Sequence, residues 1–570
     1  MKRRLLNLCL IAGMLSFGSC GLSDDIDGLQ DQIDDLNEQI VENEQAQQEV
    51  LLAQIAELQL LIADLQGENS EMTAEYEQLL QDLLALQQDV EDGQNAIHYG
   101  NVLTDADFAA VLESGASIIT GKVSITNQSQ IESIASVSMI GGYLELKGLD
   151  NVSIPNLENV SGSVMVSALD AVDATVSFGK LVSVGGDFEI HDNSQMVSFV
   201  ADELVMVYGT LRLEENSALA SFSCANLDLV GDLFINEGDD WFEVPGILAD
   251  LDLGQTDVVR DVFVYGIGYG STLSLGVIGN EFKCLGSDVL AIEFQNEILN
   301  GSFIMEKNQY LEDVVLDNLT GIEGSLIFKT NGVNSGAGFG SKSVKASSNL
   351  LQAFDDLEYV GLNVTVTGND FAELTAFNSV TSMGKNVESP YKPIIEFSYN
   401  GELTKIEVFN NLFIDYDPEA GSDYQLDVTI KENTQWLNSF NRVERLRKIK
   451  IAIKTSSDED GNVIDGVLLA GFDVLNSAFS LEISAQEITD VTAFPLLAKL
   501  ASTSAGYFTM NFRPTTVASY CSMDLLWDHI LMRQEYAFSK SYFNDVNTWG
   551  QYDRTEAMPM ITDGCYSAGI

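Results

Sequence analysis

The chain has 570 residues and a formal net charge of −58, from 86 Asp and Glu against 28 Lys and Arg. A field of that sign and size repels nucleic acid and anionic membrane surfaces, which excludes polynucleotide binding. Hydrophobic content of 45% is ordinary for a folded protein, so the acid belongs on surfaces and does not signal disorder.

In chain order, Lys2, Arg3 and Arg4 precede an apolar run from Leu5 to Phe17, and Gly18 and Ser19 lead into Cys20. The run is too short to remain in a bilayer as a helix, so residues 1–19 are expected to form a removable signal peptide. A cysteine directly after small residues is where lipoprotein signals are cut and the thiol acylated. Cys20 is therefore the expected lipidation site and 20–23 the anchor linker; an ordinary secretory signal cut nearby is the alternative. Residues 1–19 hold three bases and no acid, so cleavage leaves 25 bases against 86 acids, a net −61. The segment Cys20-Gly21-Leu22-Ser23-Asp24-Asp25 resembles the start of Bacteroidota outer-membrane lipoproteins, in which an acidic patch after the cysteine accompanies export to the outer leaflet. The resemblance implies a lipid-anchored protein of the cell outer membrane that faces the exterior.

Residues 24–95 read as a helical stalk. Apolar residues recur with gaps of three and four at Ile26, Leu29, Ile33, Leu36 and Ile40, slip in phase near Val50, and resume at Ile55, Leu58, Ile62 and Leu65. The seam continues through Asn69, Met72, Tyr76, Leu79, Leu83, Leu86 and Val90, a heptad pattern that predicts a coiled coil. One continuous helix of that span is roughly 100 Å long. Residues 24–92 carry twenty acids and no Lys or Arg, so no salt bridge can link identical strands. A parallel pairing sets Glu68, Glu75 and Asp82 against Thr73, Leu80 and Gln87, whereas an antiparallel one sets acid against acid. The expectation is a parallel homo-oligomer through residues 24–92; an intramolecular hairpin turning at Gly67–Ser70 and a single solvated helix are the alternatives.

From Gly121 the period changes. A glycine followed by alternating apolar residues recurs at Gly121, Gly142, Gly162, Gly186, Gly209, Gly231 and Gly324, with early spacings of 21, 20, 24, 23 and 22 residues. Alternation means a strand with one buried face, and the interval means one such strand per coil. Asparagine then apolar residues follow the strand at Asn193, Asn216, Asn308 and Asn400, with looser copies at Asn127, Asn369 and Asn433. Asparagine tolerates left-handed backbone and bonds neighbouring main chain, so stacked coils are expected to align these side chains into a ladder. Insertions at Asn331–Lys345 and Thr455–Gly466 are expected to leave the coil as loops. Asp105–Gly115 is expected to start the stack.

These features resemble the leucine-rich-repeat-like solenoid of receptor L domains and related bacterial surface proteins. The resemblance implies a mainly β fold, a right-handed leucine-rich-repeat-like or β-helical solenoid over residues 96–510 including its N-terminal cap. Tyr520 to Cys565 resembles the closing module of Bacteroidota repeat lipoproteins, which implies a capping module at 511–570 and favours a Cys521–Cys565 disulfide. Cys224 and Cys284 are left as thiols of undecided state.

The search for chemistry is negative. His98, His191 and His529 have no metal-ligand spacing, and no GxSxG or HExxH motif is present. Ser456, Asp458, Asp460, Gly461 and Asn462 loosely imitate a calcium loop, but Val467 stands where the closing glutamate belongs. No catalytic residue, metal or cofactor is expected. The leading expectation is a surface binding or adhesion protein for an extracellular protein. A glycan-binding protein of a nutrient-uptake system is second, with Trp241, Tyr265 and Tyr269 as its stacking candidates. A polysaccharide-degrading enzyme is third. The residues alone select no ligand site.

Overall fold

The computed structural model describes residues 97–512, apart from 170, 238–247, 332–351, 370, 372, 385–392, 404, 414–425, 435, 455–466, 476, 486–487, 492–498 and 501–507, together with 541–545 and 550–552. Cys20, the 24–95 stalk, Trp241, the 456–462 loop, Cys521, His529 and Cys565 lie outside the described residues. The chain forms two compact units, residues 1–277 and 278–570. Both are mainly β, and in each the backbone winds as a parallel β-solenoid.

In the first unit a front sheet stacks Val123–Ile125, Leu144–Lys147, Val164–Ser167, Phe188–His191, Met206–Glu214, Leu229–Asn236 and Val262–Tyr265, each parallel to the next. A second sheet stacks Val152–Ile154, Ala174–Phe178, Met196–Val200, Ser221–Ser223 and Asp250–Asp252. The glycine heading each front strand has a steric cause. Gly142 N donates to Gly121 O at 3.0 Å, Gly162 to Gly142 at 3.1 Å and Gly186 to Gly162 at 3.1 Å. Backbone rests on backbone there, and a Cβ on Gly142 would lie 2.8 Å from the Gly121 carbonyl carbon. Beyond the glycine, the alternation does what a period of two requires. Phe188 and Ile190 are buried, while Glu189 and His191 turn outward.

After Phe188–His191, Met206–Glu214 and Leu229–Asn236 the chain turns a corner on a column of two asparagines and Glu237. Asn193 donates from its backbone N and from Nδ2 to Asn216 Oδ1, at 3.3 and 2.9 Å. The other Nδ2 hydrogen reaches Val166 O, 3.0 Å away. Asn216 repeats the pattern toward Ile190 O and Glu237. In the second unit the column runs Asn308, Asn331, Asn369, Asn400 and Glu432. These asparagines are buried; in Asn193, Asn216, Asn308, Asn369 and Asn400 both amide hydrogens are used.

Three details differ from the sequence expectation. The left-handed residue is the one before the asparagine: Asp192, Glu215, Lys307, Thr330, Gly368 and Tyr399 have φ between 54° and 73°. Asn331, expected to open a loop, is a buried ladder member that donates to Met305 O and Asn369 Oδ1. Asn127 is not a member. Asn127 is extended and caps the helix Gln128–Ser133 through a reciprocal pair with Gln130, and Glu432 takes the place offered to Asn433.

A second corner is visible in the second unit. Phe377, Phe409, Phe440 and Phe472 are buried with φ between 54° and 65°, and each precedes Asn or Asp. Their rings stack at 5.3, 5.6 and 5.3 Å with interplanar angles of 10°, 12° and 18°. Asn410 N donates to Asn378 Oδ1 at 3.1 Å, which ties adjacent corners together. Near the start of the first unit, α1 (Asp105–Ser114) is nucleated by a Thr104/Asp107 capping box, ends at left-handed Gly115 and buries Phe108 and Val111. In the second unit Phe508–Phe512 pairs in parallel with Ser541–Asp545, which pairs antiparallel with Gly550–Tyr552.

Candidate binding face

The outward residues of the first unit's front sheet fall into two columns because the strands pair in register. One column is Ser124, Glu145, Met165, Glu189, Arg212, Phe234 and Phe263. The other is Lys147, His191, Glu214, Asn236 and Tyr265, with Ser167 buried between Lys147 and His191. Lys147 and Arg212 stand against Glu145, Glu189 and Glu214, so this face is close to charge balance within a chain of net −58.

Arg212 is held from three sides. Its guanidinium lies 3.2 Å from Glu214, 3.8 Å from Glu189 and 4.3 Å from the centre of the Phe234 ring. Phe234 in turn stacks on Phe263 at 5.0 Å and 18°. Both faces of Phe234 are thus covered, and its edge is what meets solvent. Tyr265 sits across from Asn236 in the adjacent column, and Tyr269, on the turn beyond, is 58% exposed.

One edge of this face is acidic. His191 Nδ1 lies 2.9 Å from Asp192 Oδ2, and the histidine contact holds the Asp192 carboxyl below its usual range. Glu215, at the matching corner of the next coil, is hydrogen-bonded to Asp192, and that contact pushes its pKa above the usual carboxylate value. Each charge makes the ionisation of the other less favourable. Both are exposed, on a corner and not in a cleft. The remaining described histidine, His98, lies on the short strand Ile97–His98.

In the second unit the corresponding columns include Ile304, Ile327, Thr365, Glu396 and Thr429 in one and Glu306, Lys329, Thr367, buried Ser398 and Lys431 in the other. Lys329 reaches Glu306 at 3.0 Å and Lys431 approaches Glu396 at 3.8 Å. Away from these columns, an open groove of about 930 Å³ is lined by Glu297, Asp317, Asp356 and Glu358 with neutral polar neighbours and no cation. Cys224 and Cys284 are buried free thiols, each raised in pKa by burial. Among the described residues, no group of His, Cys, Asp and Glu could hold a metal ion, and no helix is long and apolar enough to cross a membrane.

Sequence reasoning nominated Tyr265 and Tyr269 but missed Arg212, Phe234 and Phe263. The signal for Arg212 and Phe234 was present in the glycine-headed repeats Gly209-Thr-Leu211-Arg212-Leu213 and Gly231-Asp-Leu233-Phe234-Ile235, and that for Phe263 in Val262-Phe263-Val264, where the residue between two buried apolar positions must face outward. No protein-family model, no curated protein and no solved structure matches this chain.

Proposed function

We propose that the protein is a lipid-anchored cell-surface binding protein. Its leucine-rich-repeat-like, receptor-L-domain-like solenoid is presented outward from the outer membrane on the 24–95 stalk. The observation that carries the reading is the composition of the first unit's front face. Interfaces are enriched in Phe, Tyr, Met and Arg and depleted of unbalanced charge. Met165, Arg212, Phe234, Phe263 and Tyr265 lie together on a face near charge balance, in a chain otherwise dominated by carboxylates. A row of parallel strands also offers an extended surface in fixed register.

Tyr269, 58% exposed, is the observation that favours the glycan reading. Against it, the ring faces of Phe234 are already occupied by Arg212 and Phe263, so that residue cannot lie flat on a sugar. Hydrolysis would require two carboxyls converging in a cleft, whereas Asp192 and Glu215 are exposed on a corner.

The test is to purify the mature chain as Cys20→Ala, which should not partition into membranes. It is then titrated onto arrays of matrix proteins and of glycans. Saturable binding to a protein, weakened by substitutions on the front face, is the expected result. Absence of saturable binding to any arrayed molecule would sink the reading.

A further inference from the structure

The geometry points to one end of the first unit's front face as a docking site for a protein that presents a Lys or Arg side chain beside an apolar one. The apolar group would rest on the edges of Phe234 and Phe263 and on Tyr265, and the cation would enter the Asp192–Glu215 corner. This inference rests on the binding reading given above.

The choice of a protein partner follows from how the aromatic stack is built. Flat stacking of a sugar needs an open ring face, and Phe234 offers only its edge. An edge flanked by fixed neighbours is instead a ridge against which aliphatic or aromatic side chains pack. The stack is also pre-organised. Arg212 is clamped by Glu189, Glu214 and the Phe234 ring, and its side chain is only 34% exposed. Groups already held in one conformation lose little entropy on association.

The requirement for a cation follows from local charge. Around Arg212 stand Glu189 and Glu214 on the face and Asp192 and Glu215 at its corner, four carboxyls for one guanidinium. His191 contacts Asp192 and adds a charge only when protonated. Lys147 is the other base in the two columns and lies three strands away from Glu214. The strand register sets Asp192 beside Glu215, and a partner ammonium or guanidinium at the corner would offset the repulsion between their two charges. The chain-wide charge of −58 would steer such a partner in and repel an acidic one.

The probe is a library of random peptides displayed on phage, selected on the immobilised mature chain. Three variants are compared: Asp192→Asn with Glu215→Gln, Phe234→Ser, and Ile304→Ser with Ile327→Ser. Selected peptides should combine Lys or Arg with an apolar residue and bind more weakly as salt rises. The Asp192/Glu215 pair and Phe234→Ser should each weaken them about tenfold, with Ile304/Ile327 unchanged. The corner pair is exposed, so its loss of binding is readable even if Phe234→Ser disturbs the sheet. Peptides sensitive only to Ile304 and Ile327 would overturn this site and leave the general reading standing. Acidic or charge-independent peptides would overturn it too. A glycan whose binding needs Tyr269 but not Phe234 or the corner would replace it, and an absence of any selectable ligand would remove both proposals.

Discussion

Each ladder asparagine is satisfied in one direction: it gives hydrogens to the carbonyl of an earlier coil and to the next ladder member, and its Oδ1 receives from the coil before, from Leu169 N for Asn193 and Ser287 N for Asn308. Such a column needs an acceptor at its end. Glu237 and Glu432 supply it, each taking a backbone N–H and an Nδ2–H from the preceding asparagine. Both coils omit the left-handed residue, and the longer glutamate side chain makes up the missing reach. Burial pushes both carboxyls up to about 7, from 4.5, against the opposing effect of the asparagine hydrogen bonds. A carboxyl whose folded pKa is raised contributes stability below its unfolded pKa and loses it as pH rises to the folded value. Each glutamate should therefore cost stability between pH 4.5 and pH 7, up to about 3 kcal/mol. The thermal midpoint of the chain should fall over that window. Because general charge repulsion acts in the same direction, the diagnostic is Glu237→Gln with Glu432→Gln, which should flatten the slope; an unchanged slope would refute the assignment. A second test removes an interior member. Asn331→Ala strands the Asn308 donors and the Met305 carbonyl in the core, at about 1–3 kcal/mol for each group left unpaired. Hydrogen exchange at the Asn308 amide should accelerate accordingly, and wild-type protection there would argue against a load on this column.

At the scale of elements, the repeat of glycine and alternating strand was legible because both signals are steric. Gly142 and Gly186 stand where coils touch backbone to backbone, and Phe188 and Ile190 face the interior because a strand has a period of two. The corners were harder to read. The asparagine is visible in sequence, but the left-handed position before it is filled by Asp, Glu, Lys, Thr, Gly or Tyr, so no residue type marks it. Asn331 was hidden because an insertion follows it directly. The phenylalanine corner was missed although Phe377-Asn378, Phe409-Asn410, Phe440-Asn441 and Phe472-Asp473 repeat in sequence, because their intervals of 32, 31 and 32 residues exceed those of the earlier coils. The outward site was the least legible part, since any residue can occupy a position between two buried ones. The phenylalanine stack carries a sharp prediction. Phe409 lies between Phe377 and Phe440 with no exposed surface. Phe409→Ala should destabilise the second unit by about 3–5 kcal/mol through lost burial and an unfilled cavity. Phe409→Leu should cost less. Urea denaturation followed by fluorescence checks the order, and equal midpoints for the two variants would contradict the stacking account.

For the whole molecule, the proposal joins a face of modest area to an anchor and a stalk, and the electrostatics of the stalk give it a distinctive signature. Residues 24–92 contain twenty acids and no base, so any association of identical helices works against repulsion. Apolar seam residues such as Leu58, Ile62, Leu79 and Leu83 would supply the attraction. Repulsion between exposed charges is screened within about 10 Å at 0.1 M salt and about 3 Å at 1 M, whereas apolar burial is not weakened by salt. Oligomers of the mature Cys20→Ala chain should therefore tighten as salt rises, while peptide binding at the Asp192–Glu215 corner loosens. A chain beginning at residue 96 should sediment as a monomer at every salt concentration and bind the same monovalent peptide with unchanged affinity. It should lose only the avidity that linked faces provide on a surface coated with many copies of that peptide. Sedimentation equilibrium at low and high salt reads the first effect, and dissociation from coated and sparse surfaces reads the second. A mature chain that stays monomeric in high salt would refute the parallel stalk without touching the face, because the two respond to salt in opposite directions.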